Sequence, residues 1–402
     1  MRVVVADKLP ANLSRRLVDA GFEVVSRPAD RGASLVASLL ELDPDVLVVR
    51  STKVDAEAVT AAPRLSLVVR AGAGVNTIAV DYCAGRGVYV ANCPGRNAVA
   101  VAELTMGLIV ALDRRIPDNV SRLRKGEWAK GEFANARGLH GATLGLLGFG
   151  QIGQEVARRA LAFGMEVVAW SRSLNPAVAA SHGVACGDSP EDVARRADML
   201  SLHLALTDQT RGLVDAALLG VMKPHAALIN TARAGLLDDS AVIEAIEARG
   251  LRVALDVFTD EPSVKAGTCE DVLARHPAVY GTHHIGASTE QAQDAVASEV
   301  CRIIERYGAT GQVLNCVNLA ERSGADHGIV VRHLDRVGVL AGVLDELQRD
   351  GINVEEMENI VFAGGEAASA RLHVHGAPSD DLLQRIRARP HVLSVGMVRL
   401  GR

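Results

Sequence analysis

The sequence has 402 residues, 49% of them apolar and 23% charged, which is a globular composition and more chain than one hydrophobic core usually serves. Its formal net charge of -5 comes from both signs scattered along the chain, which argues against a nucleic-acid partner. No apolar run approaches the roughly 20 residues of a membrane span, and the first residues lack the features of a secretion signal. We therefore expect a cytoplasmic protein of two or three domains with no membrane partner.

The first part of the chain alternates short β-branched runs with helical spacing of apolar residues. The predicted strands are Arg2–Asp7, Phe22–Ser26, Val46–Ser51, Leu65–Ala71 and Tyr89–Ala91. This alternation predicts a parallel sheet covered by helices. The apolar segment Asn97–Ile116 predicts one buried helix, followed by a polar loop that contains Trp128 and Lys130.

A second alternating series predicts a complete doubly wound unit. Its strands are Ala142–Leu147, Glu166–Trp170, Met199–Leu204, Ala227–Asn230, Val253–Phe258 and Val279–Thr282. One helix start is explicit, because Ser189 can cap it, Pro190 suits the first helical position and Asp192 falls in the first turn.

After residues 321–324 the pattern changes to a βαββαβ order. The elements are Gly328–His333, Val339–Arg349, Ile352–Phe362, Ala368–His375, Asp380–Ala388 and Val392–Leu400. This order predicts a small, separate ferredoxin-like domain. The fold class is therefore α/β, with two doubly wound parallel sheets, Rossmann-like or flavodoxin-like, and a C-terminal ferredoxin-like module.

The six cysteines show neither a CxxC pair nor the spacing of metal ligands. They are Cys83, Cys93, Cys186, Cys269, Cys301 and Cys316. We expect reduced structural thiols and no metal site.

A glycine-rich turn joins the strand Ala142–Leu147 to the helical run Glu155–Phe163. Its residues are Gly148, Gly150, Gln151, Ile152 and Gly153. A tight turn, close backbone approach and helix packing each require a glycine there, and the helix N-terminus supplies amides for a pyrophosphate. Such turns also occur without ligands, but the strand before and the helix after favour dinucleotide binding.

The second strand of this unit ends without the carboxylate that would receive the ribose hydroxyls of NAD. Ser171 and Arg172 stand there instead, and a hydroxyl with a guanidinium suits the 2′-phosphate of NADP. The alternative is that Arg172 is a solvated surface charge and that the site accepts NAD or NADP.

Three segments with unusual polar residues follow later strands, at the edge where α/β folds keep their sites. They are residues 230–235, 256–262 and 282–289, and they suggest an Arg, a Glu and a His converging on one cleft. Singly, each has a structural alternative: an Arg capping a helix end, a Glu in a turn before proline, or a His satisfied in the core.

These segments, the glycine turn, residues 70–76 and residues 97–103 occur together in an order that resembles the D-isomer-specific 2-hydroxyacid dehydrogenases, most closely the D-3-phosphoglycerate dehydrogenases. The resemblance implies a substrate domain of residues 1–96 and 283–318. It implies an inserted cofactor domain of residues 97–282, with the substrate bound between the two, and residues 325–402 stand apart as a regulatory domain.

The resemblance assigns catalytic roles to Arg233, Glu261 and His284. Chemistry agrees, because oxidising a 2-hydroxy acid needs a base for the hydroxyl proton, and an imidazole titrates near neutrality. A neighbouring carboxylate orients that ring, and a guanidinium can bind the substrate carboxylate and polarise the C2 oxygen.

The resemblance also implies that Asp256 contacts the nicotinamide amide and that Thr231 and Ala232 line the cofactor site. The implied substrate-binding residues are Arg50, Ser51, Arg70, Ala71, Gly72, Ala73, Gly74 and Asn97. The backbone amides of residues 71–74 would hold the substrate carboxylate. The phosphate would be bound by Arg50, Ser51, Thr52, Lys53, Arg70 and Asn97. Without the family these segments are ordinary surface turns. Trp128 and Lys130 resemble a loop that reaches a neighbouring subunit's site, which implies a homodimer or homotetramer.

Three positions depart from the family. His283 stands where proline usually precedes the catalytic histidine, so two histidines compete, and register with Ile285 favours His284. Ala234 replaces a glycine after the catalytic arginine. Ser171 replaces the usual aspartate, which puts NAD specificity in question.

The C-terminal module resembles an ACT domain, a unit that binds amino acids. Residues matching an effector site are His333, Asp335 and Asn353. Asp335 and Val337 replace the asparagine and proline of some relatives. The resemblance implies an amino-acid effector such as L-serine, and the alternative is a purely dimerising module.

The expected substrate is D-3-phosphoglycerate, oxidised in the first step of L-serine biosynthesis. One alternative is an NADPH-dependent reductase of hydroxypyruvate or glyoxylate, which shares the catalytic set. Another is a catalytically silent nucleotide-sensing regulator on the same fold.

Overall fold

A computed structural model describes residues 1–262, 267–320 and 324–400. The chain forms two compact units, Met1–Asn318 and Leu319–Arg402. The junction was expected at residues 321–324, of which 321–323 lie outside the described part of the chain.

The first unit begins with a five-stranded parallel sheet. Its strands are β1 (Arg2–Val5), β2 (Glu23–Ser26), β3 (Val46–Val49), β4 (Leu67–Arg70) and β5 (Tyr89–Ala91), in the order β2-β1-β3-β4-β5. Its helices are α1 (Ala11–Asp19), α2 (Ala33–Leu42), α3 (Ala56–Thr60) and α4 (Val80–Gly85). The order reverses between β1 and β3, and such a switch point opens a crevice at the carboxyl ends of the strands.

A late helix completes the core of this first sheet. Helix α12 (Glu290–Thr310) packs its Val300 and Ile304 into the same apolar cluster as Val3, Leu13 and Leu17. Residues far apart in sequence therefore share one core, as a discontinuous domain requires.

A seven-stranded parallel sheet lies between these two parts of the chain. Its strands are β6 (Thr143–Leu147), β7 (Glu166–Trp170), β8 (Ala185–Cys186), β9 (Met199–Leu202), β10 (Ala227–Asn230), β11 (Arg252–Leu255) and β12 (Val279–Gly281), in the order β12-β11-β10-β9-β6-β7-β8. Its helices are α5 (Ala98–Arg114), α6 (Ile116–Arg124), α7 (Gln151–Ala162), α8 (Pro176–Ser181), α9 (Pro190–Arg196), α10 (Ala216–Val221) and α11 (Asp239–Arg249), with a 3₁₀ turn at Ala234–Leu236. This is the doubly wound order of dinucleotide-binding folds, with one strand added at the edge.

The prediction of one helix over Asn97–Ile116 was wrong at its C-terminal end. Helix α5 stops at Arg114, because Arg115 adopts a left-handed conformation with φ 50°. Ile116 then opens α6, where Pro117 in the first turn cannot extend a preceding helix. By contrast, Ser189 caps α9 as predicted, its hydroxyl accepting from the Asp192 amide at 3.2 Å.

The second unit has the predicted βαββαβ order. Its elements are β13 (His327–Leu334), α13 (Val339–Arg349), β14 (Val354–Val361), β15 (Ala367–Val374), α14 (Asp380–Arg387) and β16 (Val392–Arg399), and the antiparallel sheet order is β14-β15-β13-β16. Both helices pack on one face, where Val343, Leu347 and Leu382 join Val331 and Leu372 in the core.

All six cysteines are free thiols. Among the described residues, no group of three or more His, Cys, Asp or Glu side chains could hold a metal ion. No helix in the described ranges is both long and apolar enough to cross a membrane.

Candidate active site

A histidine and a glutamate meet at the carboxyl edge of the seven-stranded sheet. His284 Nδ1 lies 2.8 Å from Glu261 Oε2, and the other carboxylate oxygen of Glu261 accepts from the Phe258 amide at 3.0 Å. The hydrogen bond to Glu261 raises the pKa of His284, although burial opposes it. Burial alone would raise the pKa of Glu261, but the hydrogen bonds from His284 and Phe258 hold it below its ordinary value. The pair therefore favours a charged carboxylate beside an imidazole of increased basicity.

The loop that carries His284 is held by hydrogen bonds to Asp256. This carboxylate, only 1% exposed, accepts from the Thr282 hydroxyl at 2.6 Å and from the Ile285 and Gly286 amides at 2.8 Å each. His284 itself has φ 51°, a conformation that non-glycine residues adopt only when neighbours enforce it. Asp256 thus holds the Thr282 side chain before the histidine and the backbone of Ile285 and Gly286 after it. Its predicted contact with a nicotinamide stays a prediction.

The adjacent His283 is exposed, and the structure gives its ring no hydrogen-bond partner among the described residues. Of the two competing histidines, His284 is the one oriented by a carboxylate.

Arg233 approaches the same cleft from the end of β10. Asn230 shapes its loop, donating to the Arg233 carbonyl and accepting from the Ala232 amide, both at 2.9 Å. The Arg233 Nη2 atom lies only 2.8 Å from the position that a β-carbon on Gly74 would occupy. The guanidinium therefore bridges from the seven-stranded sheet to the loop after β4. Sequence reasoning did not assign this role to Asn230. The available signal was that Asn230 is a polar residue at the end of a buried strand.

Arg70 lies against the same loop. Its Nη1 atom is 1.6 Å from where a β-carbon on Gly72 would stand, and its buried Nε has no hydrogen-bond partner. Burial lowers the pKa of Arg70, and the charges of Arg233 and Arg50 lower it further. Among the described residues, no carboxylate forms an ion pair with any of the three arginines. They form a cationic cluster suited to an anionic ligand.

The four backbone amides predicted to hold a carboxylate are not equally available. Ala71 donates to the Val49 carbonyl at 2.7 Å, and Gly72 donates to the Arg70 carbonyl at 2.8 Å. Within the described chain, the amides of Ala73 and Gly74 have no such internal acceptor. The structure thus narrows the predicted anion contacts to these two amides.

The glycine turn fits a dinucleotide. Gly148 has φ 103°, and a β-carbon there would lie 2.4 Å from the His203 carbonyl oxygen. A β-carbon on Gly153 would lie 2.3 Å from the Gly148 carbonyl oxygen, so strand and helix need both glycines for packing. A β-carbon on Gly150 would meet nothing within 4 Å. The protein does not need that glycine for its own packing, and the open space at the start of α7 is where a pyrophosphate would approach.

A half-buried histidine that sequence reasoning missed faces this turn. His203 follows β9, and its Nε2 lies 2.9 Å from the Ser201 hydroxyl, while Nδ1 is buried without a partner. Burial lowers its pKa to about 4, so the ring is neutral at physiological pH. An orphaned polar atom beside the glycine turn is a second feature that a bound cofactor could satisfy.

The remaining predicted cofactor residues lie at the start of α7 and at the end of β10. Gln151 extends its side chain over the backbone of Gly95, whose β-carbon would lie 1.3 Å from Gln151 Oε1. Ile152 is half-buried. Thr231 is buried and shares a hydrogen bond of 2.9 Å with Thr105 of α5, and Ala232 is buried beside it.

The end of β7 carries the residues predicted to decide cofactor preference. Ser171 is half-buried and Arg172 is exposed. Arg172 donates to the Gln209 side-chain oxygen at 3.3 Å, so it is oriented rather than free. No carboxylate stands at the positions that follow this strand.

The other predicted substrate and partner residues differ in exposure, and Thr52 is fully buried with its hydroxyl donating to the Ala6 carbonyl at 3.0 Å. Arg50 and Asn97 are half-buried and Ser51 is exposed, and Asn97 precedes α5 without capping it through its side chain. Trp128 is 81% exposed.

The three predicted effector residues of the second unit differ in exposure. His333 is only 1% exposed, with Nδ1 2.8 Å from the Leu334 carbonyl and Nε2 3.1 Å from Asn359 Oδ1. Asp335 and Asn353 are exposed. The structure gives His333 internal partners on both ring nitrogens, and effector binding there stays a prediction.

Comparison with known proteins agrees with this geometry. A family model described as the NAD-binding domain of D-isomer-specific 2-hydroxyacid dehydrogenases matches residues 106–286. D-3-phosphoglycerate dehydrogenase of Methanocaldococcus jannaschii is 40% identical over 279 residues, covering 69% of this chain and 52% of the relative. That of Mycobacterium bovis is 39% identical over 351 residues, covering 86% of this chain and 64% of the relative.

The chain thus spans between half and two thirds of the length of these curated relatives. Among solved structures, the NAD⁺-bound 3-phosphoglycerate dehydrogenase of Entamoeba histolytica superposes with a TM-score of 0.65 at 25% identity, over 79% of this chain and 99% of that one.

Proposed function

Because the chain belongs to the D-isomer-specific 2-hydroxyacid dehydrogenase family, we propose that it oxidises D-3-phosphoglycerate to 3-phosphohydroxypyruvate, the reaction that opens L-serine biosynthesis. The substrate carries a carboxylate at one end and a phosphate at the other. It is therefore a highly charged anion that needs cationic groups at two points.

The observation that carries the proposal is the convergence of Arg50, Arg70 and Arg233 without a carboxylate partner. Burial lowers the pKa of Arg70, and the charges of Arg233 and Arg50 lower it further, so a bound anion would stabilise the charged guanidinium. A substrate with one carboxylate would need Arg233 and the two free amides at Ala73 and Gly74. The further guanidiniums, Arg50 and Arg70, supply charge for a phosphate.

The reacting proton goes to His284. Its Nδ1 faces Glu261, which leaves Nε2 to take the proton of the C2 hydroxyl while Arg233 polarises the same oxygen. A nicotinamide cofactor, held by the glycine turn at Gly148–Gly153, would supply the acceptor for the hydride that leaves C2. The charged Glu261 stabilises the imidazolium that results, and the fixed loop above Asp256 keeps the ring in position.

The cofactor is NAD or NADP, and we favour NADP. The Ser171 hydroxyl and the Arg172 guanidinium, which Gln209 orients, can both bind a 2′-phosphate. Neither position carries a carboxylate, which would repel that phosphate. This preference also makes an NADPH-dependent reductase of hydroxypyruvate or glyoxylate the second candidate.

We further propose that the C-terminal module binds an amino acid such as L-serine and that the protein works as a homodimer or homotetramer. Support for the first comes from the ferredoxin-like order of the module and the exposed Asp335 and Asn353. Support for the second comes from the exposed Trp128 in a loop that resembles one reaching a neighbouring subunit.

The test is an initial-rate comparison of D-3-phosphoglycerate oxidation with reduction of 3-phosphohydroxypyruvate, hydroxypyruvate and glyoxylate. Each reaction is run with both cofactors, with and without L-serine. A strong preference for the phosphorylated pair supports the proposal, and indifference to the phosphate supports the reductase. If Arg233→Ala and His284→Ala bind cofactor and keep every activity, the catalytic assignment is wrong.

A further inference from the structure

A buried carboxylate that the chemistry above does not use lies in the crevice between β1 and β3. Asp7 follows β1 and is 4% exposed. Its Oδ2 accepts from three successive backbone amides, those of Arg50 at 2.7 Å and of Ser51 and Thr52 at 3.0 Å each.

The other oxygen of this carboxylate is also engaged. Asp7 Oδ1 accepts from the Ser51 hydroxyl at 3.1 Å and from Arg31 Nη2 at 2.8 Å. Thr52 adds a hydrogen bond from its hydroxyl to the Ala6 carbonyl at 3.0 Å. The loop after β3 is therefore fixed to the end of β1 through both backbone and side chains.

Successive amides that converge on one point form a concave anion site, and the switch point of a parallel sheet is where folds of this order bind phosphate groups. Here the chain's own carboxylate fills that site. The amides of residues 50–52 are consequently not available to a ligand, and only the side chains of this loop can reach one.

We propose that Asp7 is a positioning residue for the substrate's phosphate, acting as a resident anion that organises the 50–52 loop and directs the Arg50 side chain toward the cleft. The inference rests on the proposed function, since it assumes a phosphorylated substrate. Asp7 does not touch the substrate. Asp7 fixes the position of Arg50, and the position of Arg50 in turn sets the selectivity for phosphorylated over unphosphorylated 2-hydroxy acids.

The test uses the full chain with Asp7→Ala, which deletes a group the size of formate, and Asp7→Asn, which keeps the shape and removes the charge. We expect Asp7→Ala to raise KM for D-3-phosphoglycerate about tenfold or more with little change in kcat, while KM for an unphosphorylated D-2-hydroxy acid stays nearly constant. Added formate should lower the raised KM and raise the thermal midpoint of this variant. Asp7→Asn should show the same loss of selectivity without the response to formate.

Asp45→Ala is the matched control. Asp45 also accepts from a backbone amide, that of Arg2 at 2.6 Å, and from Arg64 at 2.8 Å. It lies just before β3, at the amino-terminal ends of the strands, whereas Asp7 lies at their carboxyl ends. This variant should lose stability without a change in selectivity or a formate response.

A wild-type enzyme that ignores the substrate phosphate overturns the proposed function. A wild-type enzyme that prefers phosphorylated substrate, together with Asp7 variants that lose activity equally on both substrates, overturns only the role of Asp7. The absence of any formate effect on the thermal midpoint of Asp7→Ala overturns the resident-anion assignment. Formate raising the midpoint of Asp45→Ala equally would overturn it as well.

Discussion

Arg233 reaches across the cleft to Gly74, with its Nη2 atom 2.8 Å from the position of a β-carbon on that glycine. The guanidinium carried by the loop after β10 therefore lies close against the loop after β4. Since a guanidinium is the flexible end of its side chain, it can move aside for an added methyl group.

Gly74→Ala should therefore fold normally and lose activity. The displaced guanidinium no longer meets the substrate carboxylate, and we expect kcat/KM to fall about tenfold to a hundredfold with a thermal midpoint close to that of the wild type. Steady-state kinetics and thermal unfolding check this. The matched control is Gly85→Ala at the end of α4, where a β-carbon meets nothing within 4 Å. Equal effects of the two substitutions would contradict the role of the contact.

Glu261→Gln should move the pH profile. The carboxylate raises the pKa of His284, so its loss lowers that pKa. Oxidation needs the neutral imidazole, so the acidic limb of the pH profile for oxidation should shift to lower pH. Reduction needs the imidazolium, so as the pH rises the rate of reduction should begin to fall at a lower pH than in the wild type. The measurement is kcat/KM against pH in both directions. A profile that does not move would show that another group titrates.

Two alanine substitutions in the glycine turn should separate folding from cofactor binding. Gly148→Ala places a methyl group against a backbone carbonyl at positive φ and should destabilise the fold by about 1–3 kcal/mol. Gly150→Ala has open space and should keep the thermal midpoint within a few degrees while weakening dinucleotide binding. Thermal unfolding and the fluorescence of bound NADH and NADPH distinguish the two effects. Tight dinucleotide binding by Gly150→Ala would mean that the pyrophosphate lies elsewhere.

Ser171→Asp should redirect cofactor preference toward NAD. A carboxylate at the end of β7 repels the 2′-phosphate and can receive the ribose hydroxyls, so the ratio of kcat/KM for NADP over NAD should fall about tenfold or more. Arg172→Ala should lower the same ratio by raising KM for NADP alone. Kinetics with both cofactors provide the check, with Gln209→Ala as a milder variant that only frees Arg172. If the ratio is unchanged in all three variants, Arg172 is a solvated surface charge with no role in cofactor preference.

Local signals in the sequence predicted most of the architecture, because they act within a few residues. Ser189 and Pro190 mark a helix start that the structure retains, and the β-branched runs locate the predicted strands to within a few residues. The two-residue edge strand β8 (Ala185–Cys186) was not predicted, because so short a segment has no alternating pattern. The break at Arg115 was missed because a long apolar segment outweighed one proline in the pattern.

The candidate site was harder to predict, since its geometry depends on pairs distant in sequence. Nothing near Asp7 indicates that it will accept from the Arg50 amide, and nothing near Thr105 indicates a partner at Thr231. The three segments suggested that an Arg, a Glu and a His converge, but only the family resemblance assigned those roles to particular residues. The loop that turns His284 toward Glu261 is held by Asp256 from another strand, which no local pattern reveals.

Because α12 packs on the first sheet, that sheet cannot complete its core until late in synthesis. Val300 and Ile304 complete the core around Leu13 and Leu17, yet residues 97–289 must leave the ribosome before them. At about 5–20 residues per second, the amino-terminal sheet waits roughly ten to forty seconds with an uncovered apolar face. The intervening sheet has its core within those residues, so it can fold first and hold residues 1–96 near the later α12. A nascent chain halted before α12 should therefore bind dinucleotide while its first ninety or so residues remain accessible to protease or bound to a chaperone.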